Sequence, residues 1–403
     1  MTVDDAIRTA FREEWGRIVA GLIRMTGDWA LAEDCAQEAF AAALRRWPLD
    51  GVPASPGGWL TTTARNRALD RLRRSAVEAR KLEEVLAMQH EPDPAQPIED
   101  DRLRLIFTCC HPALALEARV ALTLRTLCGL TVAEIGRAFG ASEAAMAKRL
   151  VRARAKIEAA GIPYEVPEPE ALPERLPGVL AVLYLLFTEG YAPHEGDRVV
   201  REPLTEEAIR LTRLVAGLLP AEPEVRALLA LELLHDARRP ARIGDDGVPV
   251  PLDEQDRGRW DAARIAEGAG LVDGLGPAAD GPYALQARIA LEHDRAPVEE
   301  LTDRRAIADL YGRLAARTPS PFVELARAVA VGLADGPDAG LALLDRLDGD
   351  RRIASGHQLP AARAELLRRA GQRDEARTAY DVALARVPNA AERAFLERRR
   401  AEL

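Results

Sequence analysis

Lys148, Arg149, Arg152 and Lys156 recur at short steps between residues 143 and 157, with Ala144 and Ala145 just ahead of them. On a helix these residues share one side, while Met146, Leu150, Ala153 and Ile157 share the other. Their chemistry is recognition of a polyanion. Lys and Arg take phosphates, and small residues near a helix start let the backbone approach base edges in a groove. An ordinary helical hairpin with a solvated basic face fits the same pattern.

Two more sets have suggestive spacing. In LAEDCAQEAFAAALRRWP, Asp34, Gln37, Glu38 and Ala41 fall at steps of three and four, and Arg45 continues the strip. Phe40 and Leu44 are expected to turn toward a core. The strip offers carboxylates to a basic partner, although a merely solvated acidic face accounts for it as well. In WLTTTARNRALDRLRR, Asn66 and Asp70 lie one turn apart, Arg67, Arg71 and Arg74 form a basic strip, and Trp59 opens the segment. Amides, a carboxylate and arginines beside an aromatic suit unstacked bases, which are read by stacking and by their Watson–Crick edges. The plainer reading is a charged helix face over a buried Trp59.

The elements that must position these residues are helical throughout. Thr131 and Glu134 form a capping box, Val132, Ile135 and Phe139 give the following helix an apolar face, Gly140 makes the turn, and Ser142 caps the cationic helix. This is a helix-turn-helix pattern. Upstream, Phe11, Trp15, Ile18, Val19 and Leu22 recur at helical spacing. Pro48 is expected to end the acidic-strip helix, and the Pro/Gly loop of residues 51–58 delivers Trp59 into the next. Residues 103–127 read as two helices leading into the helix-turn-helix. Apolar residues at helical spacing continue to the last residue, and no alternating strand pattern of any length occurs, so the fold class is all-α.

The whole chain sets limits. Its 403 residues suffice for two or three domains, and 55 basic against 64 acidic residues give a net charge of −9, so basic charge must be local. It is: residues 61–81 hold seven Lys/Arg, and residues 82–101 hold seven acids and no base. Cys35, Cys109, Cys110 and Cys128 have no disulfide-framework spacing, which fits a reducing compartment. Cys109-Cys110-His111 lacks the spacing of a zinc site and has no second ligand pair, so no metal is expected and buried apolar packing is preferred. Asp4 and Asp5 precede any apolar run, and the longest such run, residues 179–187, is too short to span a bilayer. A soluble, cytoplasmic chain is expected.

The order of these segments resembles a bacterial sigma factor. AEDCAQEAF, then GWLTTTARNRALDRLRR, an acidic linker and a helix-turn-helix ending MAKRLVRARAKI are similar to regions 2 and 4 of the extracytoplasmic-function group of the sigma-70 family, over about residues 5–160. The resemblance implies region 2 at 1–75, an acidic flexible linker at 76–101, region 4 at 102–161, a Pro-rich hinge at 162–175 and a helical extension at 176–403. It implies that Asp34, Gln37, Glu38 and Phe40 dock on the polymerase β′ clamp helices, with the β flap as a further core contact. Trp59, Asn66, Asp70, Arg71 and Arg74 would lie at the melted −10 element. Ala144, Ala145, Lys148, Arg149 and Arg152 would enter the −35 major groove. Because the recognition face begins Glu143-Ala144-Ala145, with few groups able to bond bases, much readout is expected through DNA shape and phosphates. Promoter DNA and core polymerase are thus the implied partners, with no cofactor and no membrane partner.

Near the C-terminus, Gly371, Ala376, Tyr380, Ala383 and Pro388 have the steps of a tetratricopeptide half-unit, and Gly340, Leu344 and Leu347 repeat part of it 36 residues earlier. Tetratricopeptide-like pairs are therefore expected near 320–400. FTCCHPAL, FTEGY and LLHDARR resemble strings shared by one subgroup that carries such an extension, which implies a regulatory or polymerase-contact module open to a protein or small-molecule regulator. Glu189, His194, His235, Asp236 and Arg238 come with no nucleophile–base spacing, so no enzyme is expected. Glu189-Gly190-Tyr191 and His235-Asp236-Ala237-Arg238 could line a ligand groove. Two other functions fit the residues: a stand-alone helix-turn-helix regulator with a helical sensor, and a tetratricopeptide-like scaffold.

Overall fold

Asp28 shows how locally the first turns are encoded. Gly27 supplies a positive φ after helix α1 (Val3–Thr26), and the Asp28 carboxylate accepts from the N–H groups of Ala30 and Leu31 at 2.8 and 3.0 Å, starting α2 (Trp29–Asp50). Pro48 does not end α2. It sits in the last turn, where its ring is accommodated, and Gly51 at φ +83° closes the helix by donating to the Trp47 carbonyl at 3.1 Å. Helix α3 (Pro56–Arg74) begins three residues earlier than Trp59, because Pro56 at the first position has no N–H to leave unpaired.

The computed structural model describes residues 3–74, 101–139, 141–168, 170–191, 202–244, 248–387 and 390–403. Of the expected acidic linker at 76–101, residues 76–100 lie outside them and Asp101 begins a helix; His194, Gly140 and Pro388 also lie outside. Among the described residues the structure is helical, apart from a single antiparallel bridge between Ile243 and Pro249. The chain divides into two compact units, Met1–Leu185 and Leu186–Leu403.

In the first unit α1 packs on α2, α3, α4 (Asp101–Cys109) and α5 (Leu116–Thr126). Phe11, Trp15 and Phe40 form a ring cluster with centroids 5.0–6.1 Å apart, above buried Ile18, Val19 and Leu22. Gly129 is required beside it, since its φ is +70° and a Cβ there would stand 2.6 Å from the Phe11 ring. The helix-turn-helix is α6 (Val132–Ala138) and α7 (Glu143–Ala159). Its capping box is formed as expected. The Glu134 N–H donates to Thr131 Oγ1 at 3.2 Å, and the Thr131 N–H donates to Glu134 Oε2 at 2.8 Å. Tyr164, just beyond, donates its hydroxyl to the Ala20 carbonyl at 2.9 Å and so fastens the Pro-rich stretch to α1. Helix α8 (Leu172–Tyr191) follows.

The second unit is built around α10 (Pro223–Ala237), a helix apolar on nearly every side and therefore buried, with α9 (Glu202–Leu218), α11 (Ala262–Asp273) and α12 (Pro282–Arg295) packed on it. Helices α13 (Arg304–Arg317), α14 (Pro321–Asp335), α15 (Pro337–Asp345), α16 (Gln358–Arg369), α17 (Arg373–Leu384) and α18 (Ala390–Ala401) then pack consecutively. Some of the repeat positions here are small or buried, while Gly371 stands in open space at φ +78°. A Cβ on Gly340 would meet the Ala328 carbonyl at 2.7 Å, so the small residue permits the α14–α15 crossing. Ala376, Tyr380 and Ala383 are buried along α17.

Candidate nucleic-acid interface

Helices α2 and α3 pack side by side and bring two of the expected sites onto one surface. Asp34 and Gln37 are exposed and Glu38 is half-buried. Across from them Arg71 pairs with Asp34 at 3.3 Å and with Glu38, while Arg67 pairs with Glu38 at 2.9 Å. Neither reading of the sequence foresaw this pairing, because helical spacing says which residues share a face but not which faces meet. Such partly exposed pairs are worth about 0–1 kcal/mol each, so a partner's charge can replace them.

Asn66 and Asp70 are exposed one turn apart on α3. Trp59 is half-buried, edge-on against Trp47 with ring centroids 5.7 Å apart. Arg74 ends the helix, and its side chain lies outside the described part of the molecule. Phe40 turns into the core as its spacing predicts; it is buried in the ring cluster and supports the strip from behind. One expectation for α2 needs correction. Leu44, expected in the core, is 55 % exposed: the buried stripe of α2 continues past Phe40 through Ala43 and Trp47, and Leu44 falls outside its edge.

On α7 the Ser142 hydroxyl accepts from the Ala145 N–H at 3.3 Å, which fixes the start of the helix. Met146, Leu150, Ala153 and Ile157 are buried, and Ala144, Ala145, Lys148 and Arg152 are exposed on the opposite side. Arg149 is half-buried and pairs with Glu117 of α5 at 3.0 Å.

Glu33 is the residue that sequence reasoning missed. Its side chain is 5 % exposed and pairs with Arg125 of α5 at 2.9 Å and with Arg154 of α7. Burial outweighs the two guanidiniums and holds the carboxyl above its ordinary range. The clue was its phase: Glu33 stands three and seven residues before Ala36 and Phe40, on the buried face, whereas neighbouring Asp34 is on the exposed one. Through Glu33, helices α2 and α7 belong to one packed body.

Cys109 and Cys110 are buried thiols beside the hydroxyls of Thr126 (3.4 Å) and Thr123 (3.8 Å), and burial pushes the Cys110 thiol up to about 12. His111 Nδ1 accepts from the Ala113 N–H at 3.1 Å. In the second unit Tyr191 and His235, two of the residues expected to line a ligand groove, come together with ring centroids 5.5 Å apart. Asp236 is engaged by Arg264 and Arg239, and Arg238 donates to Asp294 at 2.6 Å and to the Ala290 carbonyl at 2.7 Å. These side chains tie α10 to its neighbours. Burial, then Arg238, keeps the His235 imidazole well below its usual range and hence neutral. No helix among the described residues is long and apolar enough to cross a membrane.

Comparison with known proteins gives three family matches along the chain. Residues 11–77 match sigma-70 region 2, residues 104–157 match sigma-70 region 4, and residues 175–274 match a family of unknown function (DUF6596). An uncharacterized protein of Rhizobium meliloti is 41 % identical over 387 residues, covering 94 % of this chain and 91 % of the relative. The probable ECF RNA polymerase sigma factor SigI of Mycobacterium tuberculosis is 31 % identical over 166 residues, 39 % of this chain and 56 % of that protein. The probable RNA polymerase sigma factor RfaY of Xanthomonas campestris is 33 % identical over 162 residues, 36 % of this chain and 40 % of that protein. The chain thus spans about half the length of these sigma-factor relatives. No solved structure matches it. Two sigma regions in order, on the helices that carry the interface, define the class: the chain belongs to the extracytoplasmic-function group of the sigma-70 family of RNA polymerase sigma factors.

Proposed function

We propose that this chain docks on RNA polymerase core through Asp34, Gln37 and Glu38 and carries the polymerase to two-part promoters. The observation that supports this most directly is the continuous surface on which the α2 carboxylates meet the α3 arginines. In this reading Trp59, Asn66, Asp70, Arg71 and Arg74 hold the unpaired −10 strand, and the α7 face reads the −35 groove. There Ala144 and Ala145 permit close approach, and Lys148, Arg149 and Arg152 take phosphates. The polymerase performs the chemistry, and the C-terminal unit serves as a regulatory or polymerase-contact module.

Co-elution with bacterial core polymerase on gel filtration tests the docking surface. Asp34→Arg/Glu38→Arg is expected to weaken binding by at least about 100-fold, because like charges forced together at an interface cost several kcal/mol. The reversal also removes the partners of Arg71, so Arg71→Ala is run in parallel. Loss of core binding in Arg71→Ala as well would assign the effect to the α2–α3 pairing and overturn the docking role. For α7, Lys148→Ala is expected to weaken promoter-DNA binding by holoenzyme about equally across sequences and to reduce the log–log salt slope by about 1. An unchanged slope would remove Lys148 from the phosphate contacts.

A further inference from the structure

Helices α13, α14, α16, α17 and α18 bound a cavity of about 510 Å3, within the size range of small-molecule sites. Its walls are apolar: Ile307 and Tyr311 from α13, Leu325 and Val329 from α14, Leu366 from α16 and Leu396 from α18. A strap formed by residues 249–254 crosses one side. It is held there by Asp253 to Arg369 at 2.7 Å, by Glu254 to Arg399, and by the Pro249 carbonyl, which accepts from Arg398 at 3.4 Å.

The charges at the rim decide what the cavity can take. Arg304 is matched by Glu299 at 3.2 Å, Arg369 by Asp253 and by Glu365 at 2.6 Å, and Arg399 by Glu254 and by Glu402 at 3.1 Å. Every one of these cations already has an anion, so a charged ligand would be desolvated without gaining a counter-charge. Two buried polar atoms of the lining have no hydrogen-bond partner among the described residues, Nε of Arg399 and Nδ1 of His293. The Arg399 charge is already matched by its two carboxylates, whereas no group among the described residues answers the His293 nitrogen.

We propose that this cavity is a binding site for a small, uncharged, largely apolar molecule with one hydrogen-bonding group, which His293 receives. All of its lining residues belong to the second unit, so the proposal is tested independently of the docking reading.

The test uses the full-length chain and the uncharged fluorescent probe N-phenyl-1-naphthylamine. One saturable site per chain is expected, with a dissociation constant on the order of 10 µM. Decanol should displace the probe, and decanoate should do so at least about 30-fold less well, since its carboxylate finds no free cation. Ala326→Phe and Ala362→Phe each project a ring into the cavity from its wall and should abolish the site while the melting temperature holds or rises. Leu49→Ser, at a residue 85 % exposed in the other unit, should leave it intact. His293→Phe should weaken decanol about fivefold. Non-saturable uptake, equal displacement by decanoate, or unchanged binding to both filled variants would overturn the proposal. Displacement by an amphipathic peptide but not by decanol would also overturn it, in favour of a protein-docking groove. If the filled variants fail to fold, the decanol–decanoate comparison on the wild type still decides.

Discussion

Glu33→Ala is expected to destabilise the N-terminal unit by about 3–5 kcal/mol, the usual cost of removing one member of a buried charge group. Glu33 sits between Arg125 and Arg154, whose side chains are 13 % and 23 % exposed, so neither guanidinium can turn freely to water when the carboxylate is lost. Its raised pKa refines the expectation. Burial outweighs the attraction of the two arginines, so the ionised group is not itself a net source of stability. An apolar replacement of the whole group should therefore recover much of the loss: Glu33→Leu/Arg125→Met/Arg154→Leu is expected to be more stable than Glu33→Ala. Urea unfolding gives the stabilities, and hydrogen exchange across residues 116–126 and 143–159 shows whether α5 and α7 loosen from α2. A change below about 1 kcal/mol, within the range of exposed pairs, would mean that Glu33 is not a buried clasp.

Glu232→Gln should act in the opposite direction, and with pH. Glu232 is fully buried in the centre of α10 and has one hydrogen bond, from the Thr212 hydroxyl at 3.1 Å. Burial raises its pKa well above the ordinary carboxyl value. A carboxyl whose folded pKa is raised gives its full contribution below the unfolded pKa of about 4.3 and loses it as pH rises through the folded value. At neutral pH the wild type must take up a proton or bury a charge, and a glutamine does neither. The variant is therefore expected to match the wild type near pH 4 and to exceed it by up to about 4 kcal/mol at pH 7.5, at 1.36 kcal/mol per pH unit of mismatch. Melting curves of the second unit at both pH values provide the check. A difference that does not grow with pH would show that Glu232 is ionised at no such cost.

Much of the interface was legible because its signals are local. Capping residues and the phase of Met146 against Lys148 act within a few residues of themselves. What was not legible depends on which faces meet. Leu44 has the spacing of a core residue but falls outside the buried stripe that runs through Ala43 and Trp47. Glu33 and Asp34 are the same kind of residue in adjacent positions, and only α5 and α7, about a hundred residues away, separate their fates. The cavity is more remote still, since its wall combines side chains from residues 251 to 399 that share no sequence pattern.

The strap over residues 249–254 bears on how the second unit comes apart. Open arrays of helical repeats unfold progressively from an end, because each repeat contacts only its neighbours. Here Arg369, Arg398 and Arg399 hold residues 116, 149 and 145 positions earlier in the chain, so the last helix is tied back toward the beginning of the unit. Terminal fraying must first break these long-range ties. The helices from α13 onward should therefore melt together, in a single sharp transition, and refold more slowly than an open array of equal length, since closing so long a loop precedes the contacts that reward it.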